Sequence, residues 1–209
     1  MFKDMRARFC KTDSAVYFSH LDLNRAVMRA LRRSGIPYWS TGGFSPHPYC
    51  VFAQPLSLGF ESEGELFDFR ITEEADLTAL VQAFPDSLKI LEIYEPQDHF
   101  KVIGWANYRI ELKTEASAAA IQEAFSRPVT VLKKTKRSET EVDVREFIRS
   151  LTAEQQGEGV VLYATLAAGN ARSLSPNYLA EGLQNAGIPA ELHRVRRLGF
   201  LREDGEVFR

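Results

Sequence analysis

The chain has 209 residues, of which 44% are hydrophobic and 26% are charged, a composition typical of globular proteins. No run of about 18 apolar residues is present, so a transmembrane helix is not expected. The N-terminus lacks the apolar core of a secretory signal. Cys10 and Cys50 form no disulfide framework and no CxxC motif. We therefore expect a cytoplasmic protein with no membrane partner.

The net charge of −2 hides an asymmetry between the two ends of the chain. Residues 1–60 contain eight Lys or Arg residues and only three Asp residues. A basic segment in an otherwise acidic protein favours an anionic partner, such as nucleic acid, phosphate or an acidic protein. The alternative is an ordinary solvated helix surface.

The first half of the chain predicts the element order β-α-β-β-α-β. Alternating apolar residues predict strands, and Ser19 followed by Asp22 predicts a helix start that Gly35 ends. The predicted strands are 5–11, 49–57, 65–72 and 88–94, with a further β-prone run at 36–40, and the predicted helices are 20–34 and 74–84. This order is that of the ferredoxin-like split βαβ pattern.

The second half predicts a similar order. The predicted strands are 107–113, 129–134, 160–166 and 190–198, the helices are 116–125 and 177–186, and residues 142–151 favour a helix from Val144 on. We therefore expect an α+β chain of two tandem ferredoxin-like (βαββαβ) halves, the second less regular. The expected domains are 1–95, which carries the SHLD helix and the GFSPHP loop, a linker at 96–106, and a second α+β half at 107–209.

The first predicted helix is amphipathic. At 100° per residue, four arginines lie on one side and the apolar residues on the other. Guanidinium groups hold phosphate through a planar fork of donors, so the arginines predict an RNA- or anion-binding face. Its members are Arg25, Arg29, Arg32 and Arg33. The alternative is that these charges pair with acids elsewhere in the fold.

The histidines of this region are candidates for catalysis. His20 lies at the helix N-terminus, a position that favours anions, and Asp22 lies beside it. A parallel strand after the helix would bring His47 near both residues. A packed, hydrogen-bonded His20 is the structural alternative, and neither a zinc spacing nor a nucleophile elbow is present.

The loop GGFSPHP, residues 42–48, contains more special residues than a simple connection needs. Gly43 permits backbone conformations closed to other residues, and two prolines bracket His47. Phe44 and the neighbouring aromatic residues suit base stacking on single-stranded RNA, although such residues also form cores. The loop matches neither a P-loop nor a dinucleotide-binding fingerprint.

A second basic cluster lies in the sequence KKTKR. Lys133 and Lys134 begin it, and Lys136 and Arg137 continue it. It predicts either a phosphate-contacting hairpin or a solvated turn.

Several motifs together resemble a bacterial family of radical-SAM-linked proteins that contain a domain of unknown function. The similarity is strongest over residues 5–70, and weaker blocks extend it over nearly the whole chain. The residues that carry it are Arg6, Phe9, Lys11, residues 18–22 with Arg25, residues 29–37, Ser40, residues 43–48, Pro55, Leu56, Gly59 and Glu65. In that family this domain stands alone and is encoded beside a radical SAM protein, or it is fused to the C-terminus of one.

The resemblance implies a radical SAM partner, but it transfers no catalytic residue. The chain lacks a CxxxCxxC triad, and two cysteines cannot hold a [4Fe–4S] cluster, so we expect no cofactor in the chain itself. We expect an accessory subunit that presents RNA (tRNA or rRNA) or another anionic substrate to its partner. The alternatives are a metal-independent RNA-processing enzyme using His20 and His47, and a protein-binding adaptor.

Overall fold

The structure is a computed structural model that describes residues 2–134 and 139–209. Its contacts divide the chain into an N-terminal unit, residues 1–100 with Arg209, and a C-terminal unit, residues 101–208. The first strand of the C-terminal unit begins at Ile103, within the segment expected to be a linker.

The N-terminal unit contains four strands and two α-helices. All strand pairs are antiparallel, and the strand order is β4-β1-β3-β2. The elements are β1 Lys3–Lys11, α1 His20–Arg33, β2 Cys50–Phe52, β3 Glu61–Ile71, α2 Thr78–Gln82 and β4 Ile90–Tyr94, with 3-10 helices at Asp13–Tyr17 and Asp86–Leu88.

The core of this unit lies between one face of its sheet and the helices. Met5, Ala7 and Phe9 alternate along β1 and are buried, as the two-residue period of a strand requires. Val27 and Leu31 of α1 join the same cluster and are fully buried. This packing fixes which side of α1 faces solvent.

Three predicted elements of this unit are shorter than expected. Strand β2 has three residues, and the predicted strand at 36–40 contributes only isolated bridges, from Tyr38 to Ile71 and from Ser40 to Pro48. Helix α2 has five residues. The Asp76 carboxylate accepts a hydrogen bond from the Thr78 amide at 2.9 Å and so holds a turn where a longer helix was predicted.

Over residues 101–134 and 139–208, the C-terminal unit has six strands and two α-helices. Four strands form an antiparallel sheet in the order β10-β5-β9-β8, and β6 and β7 form a separate hairpin. The elements are β5 Ile103–Lys113, α3 Ala118–Ala124, β6 Thr130–Lys134, β7 Glu139–Asp143, β8 Ile148–Gln156, β9 Gly159–Ala167, α4 Asn177–Asn185 and β10 Glu191–Arg202, with 3-10 helices at Phe100–Val102 and Val144–Phe147.

The helix predicted from Val144 on is wrong. The Asp143 carboxylate accepts a hydrogen bond from the Arg145 amide at 3.0 Å and starts only a 3-10 turn. The following residues, Ile148–Gln156, form strand β8, which pairs with β9. The apolar spacing of Val144, Phe147, Ile148 and Leu151 fits a helix, and it equally fits a turn followed by a strand.

The α+β class is confirmed, since strands predominate and four α-helices accompany them in the described part of the chain. Two tandem ferredoxin-like halves are not confirmed as such. No helix among residues 2–134 and 139–209 is long and apolar enough to cross a membrane.

Candidate functional site

Helix α1 begins with a complete capping box. The Ser19 hydroxyl accepts a hydrogen bond from the Asp22 amide at 3.2 Å, and the Asp22 carboxylate accepts one from the Ser19 amide at 3.3 Å. The Ser19 hydroxyl also donates to the Asp22 carboxylate at 2.6 Å, which lowers the pKa of that carboxyl group. Asp22, predicted as a catalytic candidate, therefore serves to start the helix.

The arginine face, formed by Arg25, Arg29, Arg32 and Arg33, is exposed as predicted. Arg25 lies 3.9 Å from the Asp22 carboxylate, and Arg33 donates a hydrogen bond to the Ala83 carbonyl at 2.9 Å. Arg29 and Arg32 form no hydrogen bond or ion pair with any residue that the structure describes. Two guanidinium groups thus remain available on one helix face.

A groove of about 490 Å³, here called the Tyr17 groove, lies beside this face. Its lining includes Tyr17, Phe18, Asp22, Arg25 and Arg29. Tyr17 is 74% exposed, and the sequence analysis did not identify it. The sequence contains a signal for this exposure. Phe18 directly precedes the N-cap Ser19, the position of a hydrophobic staple, so Tyr17 before it is not needed to pack the start of the helix.

The GGFSPHP loop is the tip of an irregular hairpin. The Thr41 amide donates to the His47 carbonyl at 2.8 Å, and the Tyr49 amide donates to the Trp39 carbonyl at 3.1 Å. Gly43 has a φ of 100°, a conformation that other residues rarely adopt. Phe44 follows it with a relative exposure of 112%, so its ring is held in solvent at the tip.

His47 is anchored by its own loop. Its Nδ1 lies 3.1 Å from the Ser45 carbonyl oxygen and 3.1 Å from the Thr41 hydroxyl. Because a carbonyl only accepts, the hydrogen bond to Ser45 forms in the tautomer that carries the proton on Nδ1, and that tautomer has its lone pair on Nε2. The contacts of Nδ1 with Ser45 and Thr41 therefore support a role for His47 in shaping the loop.

His20 lies in a different environment. Its exposed ring packs edge-on against Phe52, with the ring centroids 5.3 Å apart. The chain from His47 to Phe52 is largely extended and spans about 16 Å at the usual rise of a strand. The two histidines form no hydrogen bond with each other. No contact of the described residues joins the two rings, so the acid–base pair of His20 and His47 stays a prediction.

The second basic cluster lies in the C-terminal unit. The Lys133 ammonium donates to the Ser173 carbonyl at 2.6 Å and lies 4.5 Å from the centre of the Phe147 ring. Burial lowers the pKa of Lys133. The backbone of Lys134 belongs to β6, whereas its side chain and residues 136 and 137 lie outside the described part of the structure. Lys133 is therefore bound within its own unit.

No group of three or more His, Cys, Asp or Glu side chains among residues 2–134 and 139–209 has the arrangement of a metal site.

The pKa of the Cys50 thiol is raised, first by burial and then by the Asp68 carboxylate, so the thiol stays protonated near neutral pH.

Comparison with solved structures shows the fold alone. The chain is similar to a chain in the crystal structure of a Cbf5–Nop10–Gar1 complex, with a TM-score of 0.55 and 9% identity over 96% of this chain and 50% of the other. It is also similar to a chain in the archaeal box H/ACA sRNP Nop10–Cbf5 complex, with a TM-score of 0.51 and 9% identity over 92% and 46%. The chain thus spans about half the length of these neighbours.

No curated protein matches the sequence. A family model does match, and it covers residues 5–176, which include residues 5–100 of the N-terminal unit, the arginine face and the GGFSPHP loop. The match shows no radical SAM linkage. The chain therefore belongs to the family of uncharacterized proteins conserved in bacteria, DUF2344.

Proposed function

We propose that this protein is an RNA-binding accessory module whose arginine face holds the phosphate backbone. The observation that carries this proposal is the pair Arg29 and Arg32, exposed and without a partner in the described chain. Most other arginines with a described contact are engaged in ion pairs, such as Arg127 with Glu123 and Arg145 with Asp143. Unpaired guanidinium groups on one face are what a phosphate-binding surface requires.

RNA is the favoured polyanion because aromatic groups accompany the charges. Phe44 is presented at the tip of the glycine-containing loop, which suits stacking on an unpaired base. The fold likeness to a protein of a box H/ACA sRNP, a ribonucleoprotein, is in keeping with this choice. At 9% identity this likeness supports only the fold, so the proposed function is argued from the arginine face.

The proposal includes two finer statements. We infer that both units are variants of the ferredoxin-like pattern, because β10-β5-β9-β8 repeats the order of β4-β1-β3-β2, with the β6–β7 hairpin as an addition. A radical SAM protein as the partner rests on the sequence resemblance only. The partner would act on the RNA that this chain holds.

The test is a salt titration of RNA binding. Fluorescence anisotropy with a structured RNA is compared between the wild type and the Arg29→Gln/Arg32→Gln variant. The log–log salt slope is expected to fall by about 1.4 to 1.8, since each phosphate contact contributes about 0.7 to 0.9. The matched control, Lys89→Gln/Arg127→Gln, removes two exposed positive charges outside α1 and should leave the slope nearly unchanged.

Two results would contradict the proposal. One is an absence of RNA binding at low salt. The other is an equal fall of the slope in the test and control variants, which would indicate a diffuse charge effect in place of a defined face. Nuclease-insensitive association with a protein partner, in the absence of RNA binding, would instead identify an adaptor.

A further inference from the structure

We infer that the Tyr17 groove binds a single unpaired nucleotide, with its base stacked on Tyr17 and its phosphate held by Arg25 and Arg29. The inference rests on the proposed RNA-binding function and specifies which RNA structure the module recognises. The groove and all its lining residues belong to the N-terminal unit.

The size and lining of the groove fit one nucleotide. Its volume of about 490 Å³ lies within the range of small-molecule sites, about 300–1,000 Å³. Tyr17 and Phe18 contribute aromatic side chains to the lining, and Arg25 and Arg29 contribute guanidinium groups. Arg25 and Arg29 are four residues apart on one helix, so both guanidinium groups can reach the same phosphate.

The charge balance of the groove argues against a long run of phosphates within it. Asp22 also lines it, and the hydrogen bond from Ser19 lowers the pKa of this carboxyl group, which keeps it ionised. Two guanidinium groups and one carboxylate have a net charge of about +1, which balances the single negative charge of about one phosphodiester group. A base, which is uncharged, can occupy the remaining space.

Tyr17 is available for stacking. The 3-10 helix Asp13–Tyr17 ends at this residue, and Ala15 of the same helix is buried and holds the segment in place. Tyr17 itself is 74% exposed. A large aromatic side chain that is anchored at its backbone and free at its ring is a stacking platform for an unpaired base. A duplex offers no such base, since its bases are stacked on each other.

The test compares one short RNA, as a single strand and annealed to its complement. The single strand carries 2-aminopurine, whose fluorescence is quenched when the base stacks. Tyr17→Ala should weaken single-strand binding about tenfold, reduce the quenching and leave the duplex affinity unchanged, because stacking acts only on an unpaired base. Tyr17→Phe keeps the ring and should retain both the affinity and the quenching.

The outcomes separate this inference from the proposed function. If Tyr17→Ala has no effect, or weakens single-strand and duplex binding equally, the nucleotide site is wrong. Arg29→Gln/Arg32→Gln would still reduce the salt slope in that case, and the proposed function would stand. If the wild type binds neither RNA at low salt, the proposed function fails first and this inference fails with it.

Discussion

Arg6 of β1 and Asp68 of β3 form a two-point ion pair inside the N-terminal unit. The Arg6 Nε lies 2.7 Å from Asp68 Oδ1, and Nη2 lies 2.8 Å from Oδ2. The Arg6 side chain is fully buried, donates to the Asp98 carbonyl at 2.9 Å and lies 4.2 Å from the centre of the Phe100 ring. Arg6 is one of the eight basic residues of segment 1–60, but its charge is buried and paired, so it adds nothing to a basic surface.

Replacing Arg6 with alanine should therefore destabilise the protein strongly. It leaves the half-buried Asp68 carboxylate without its partner, and such losses cost roughly 3–5 kcal/mol. Burial already raises the pKa of Asp68, which Arg6 opposes, so the unpaired carboxylate favours protonation. Urea unfolding measures the loss of free energy.

The control for this prediction is Arg8→Ala. Arg8 lies on the same strand and the same side, and donates one hydrogen bond to the Glu63 carbonyl at 3.2 Å. It is partly exposed, so its removal should cost less than about 1 kcal/mol. Equal losses for Arg6→Ala and Arg8→Ala would show that the ion pair contributes little to stability.

The Ser19–Asp22 capping box predicts a pH dependence of stability. The folded-state pKa of Asp22 lies below its ordinary value of 3.8, because the Ser19 hydroxyl donates to the ionised form. The unfolded state therefore takes up this proton first as the pH falls. The contribution is present above about pH 4 and is lost as the pH falls through the folded-state pKa.

Urea unfolding of the wild type and of Asp22→Asn, measured between neutral pH and pH 3, tests this prediction. The variant should be less stable than the wild type near neutral pH, and the difference in the free energy of unfolding should shrink towards low pH. A difference that is constant over this range would exclude Asp22 as the titrating group.

Helix α1 is the part of the fold that the sequence predicts best. Its start at Ser19, its apolar positions and its end near Gly35, which has a φ of 69°, are all local signals. The positions of His20 and His47 depend on how an irregular segment pairs with β3, and no local signal sets that pairing. Likewise, Arg6 meets a carboxylate 62 residues away, a contact that strand alternation cannot specify.

The two glycines of the GGFSPHP loop should respond differently to alanine. A Cβ at either position meets no atom within 4 Å, so space is not the limit at either site. Only Gly43 has a positive φ, and a side chain there is strained by about 1–2 kcal/mol. Gly43→Ala should lower the free energy of unfolding more than Gly42→Ala does. Equal values would place the constraint elsewhere in the loop.

Phe44 should contribute to RNA binding and not to stability. Its ring is entirely exposed, so Phe44→Ser should change the free energy of unfolding by no more than about 0.5 kcal/mol. Loss of base stacking should weaken single-strand affinity at least fivefold. Val207→Ser, which removes another apolar side chain with 70% exposure, is the control and should leave the affinity unchanged. An unchanged affinity for Phe44→Ser would remove Phe44 from the interface.

His47 separates a loop-shaping role from a chemical one. Asparagine places its amide nitrogen near the position of Nδ1 and can keep the hydrogen bond to the Ser45 carbonyl, whereas glutamine reaches towards Nε2. If His47 shapes the loop, His47→Asn should keep the RNA affinity and the slow exchange of the Thr41 amide. His47→Gln should then bind RNA more weakly and exchange the Thr41 amide faster. If Nε2 contacts substrate, the glutamine variant should be the better substitute. RNA anisotropy together with hydrogen exchange at Thr41, whose amide donates to the His47 carbonyl, distinguishes the two.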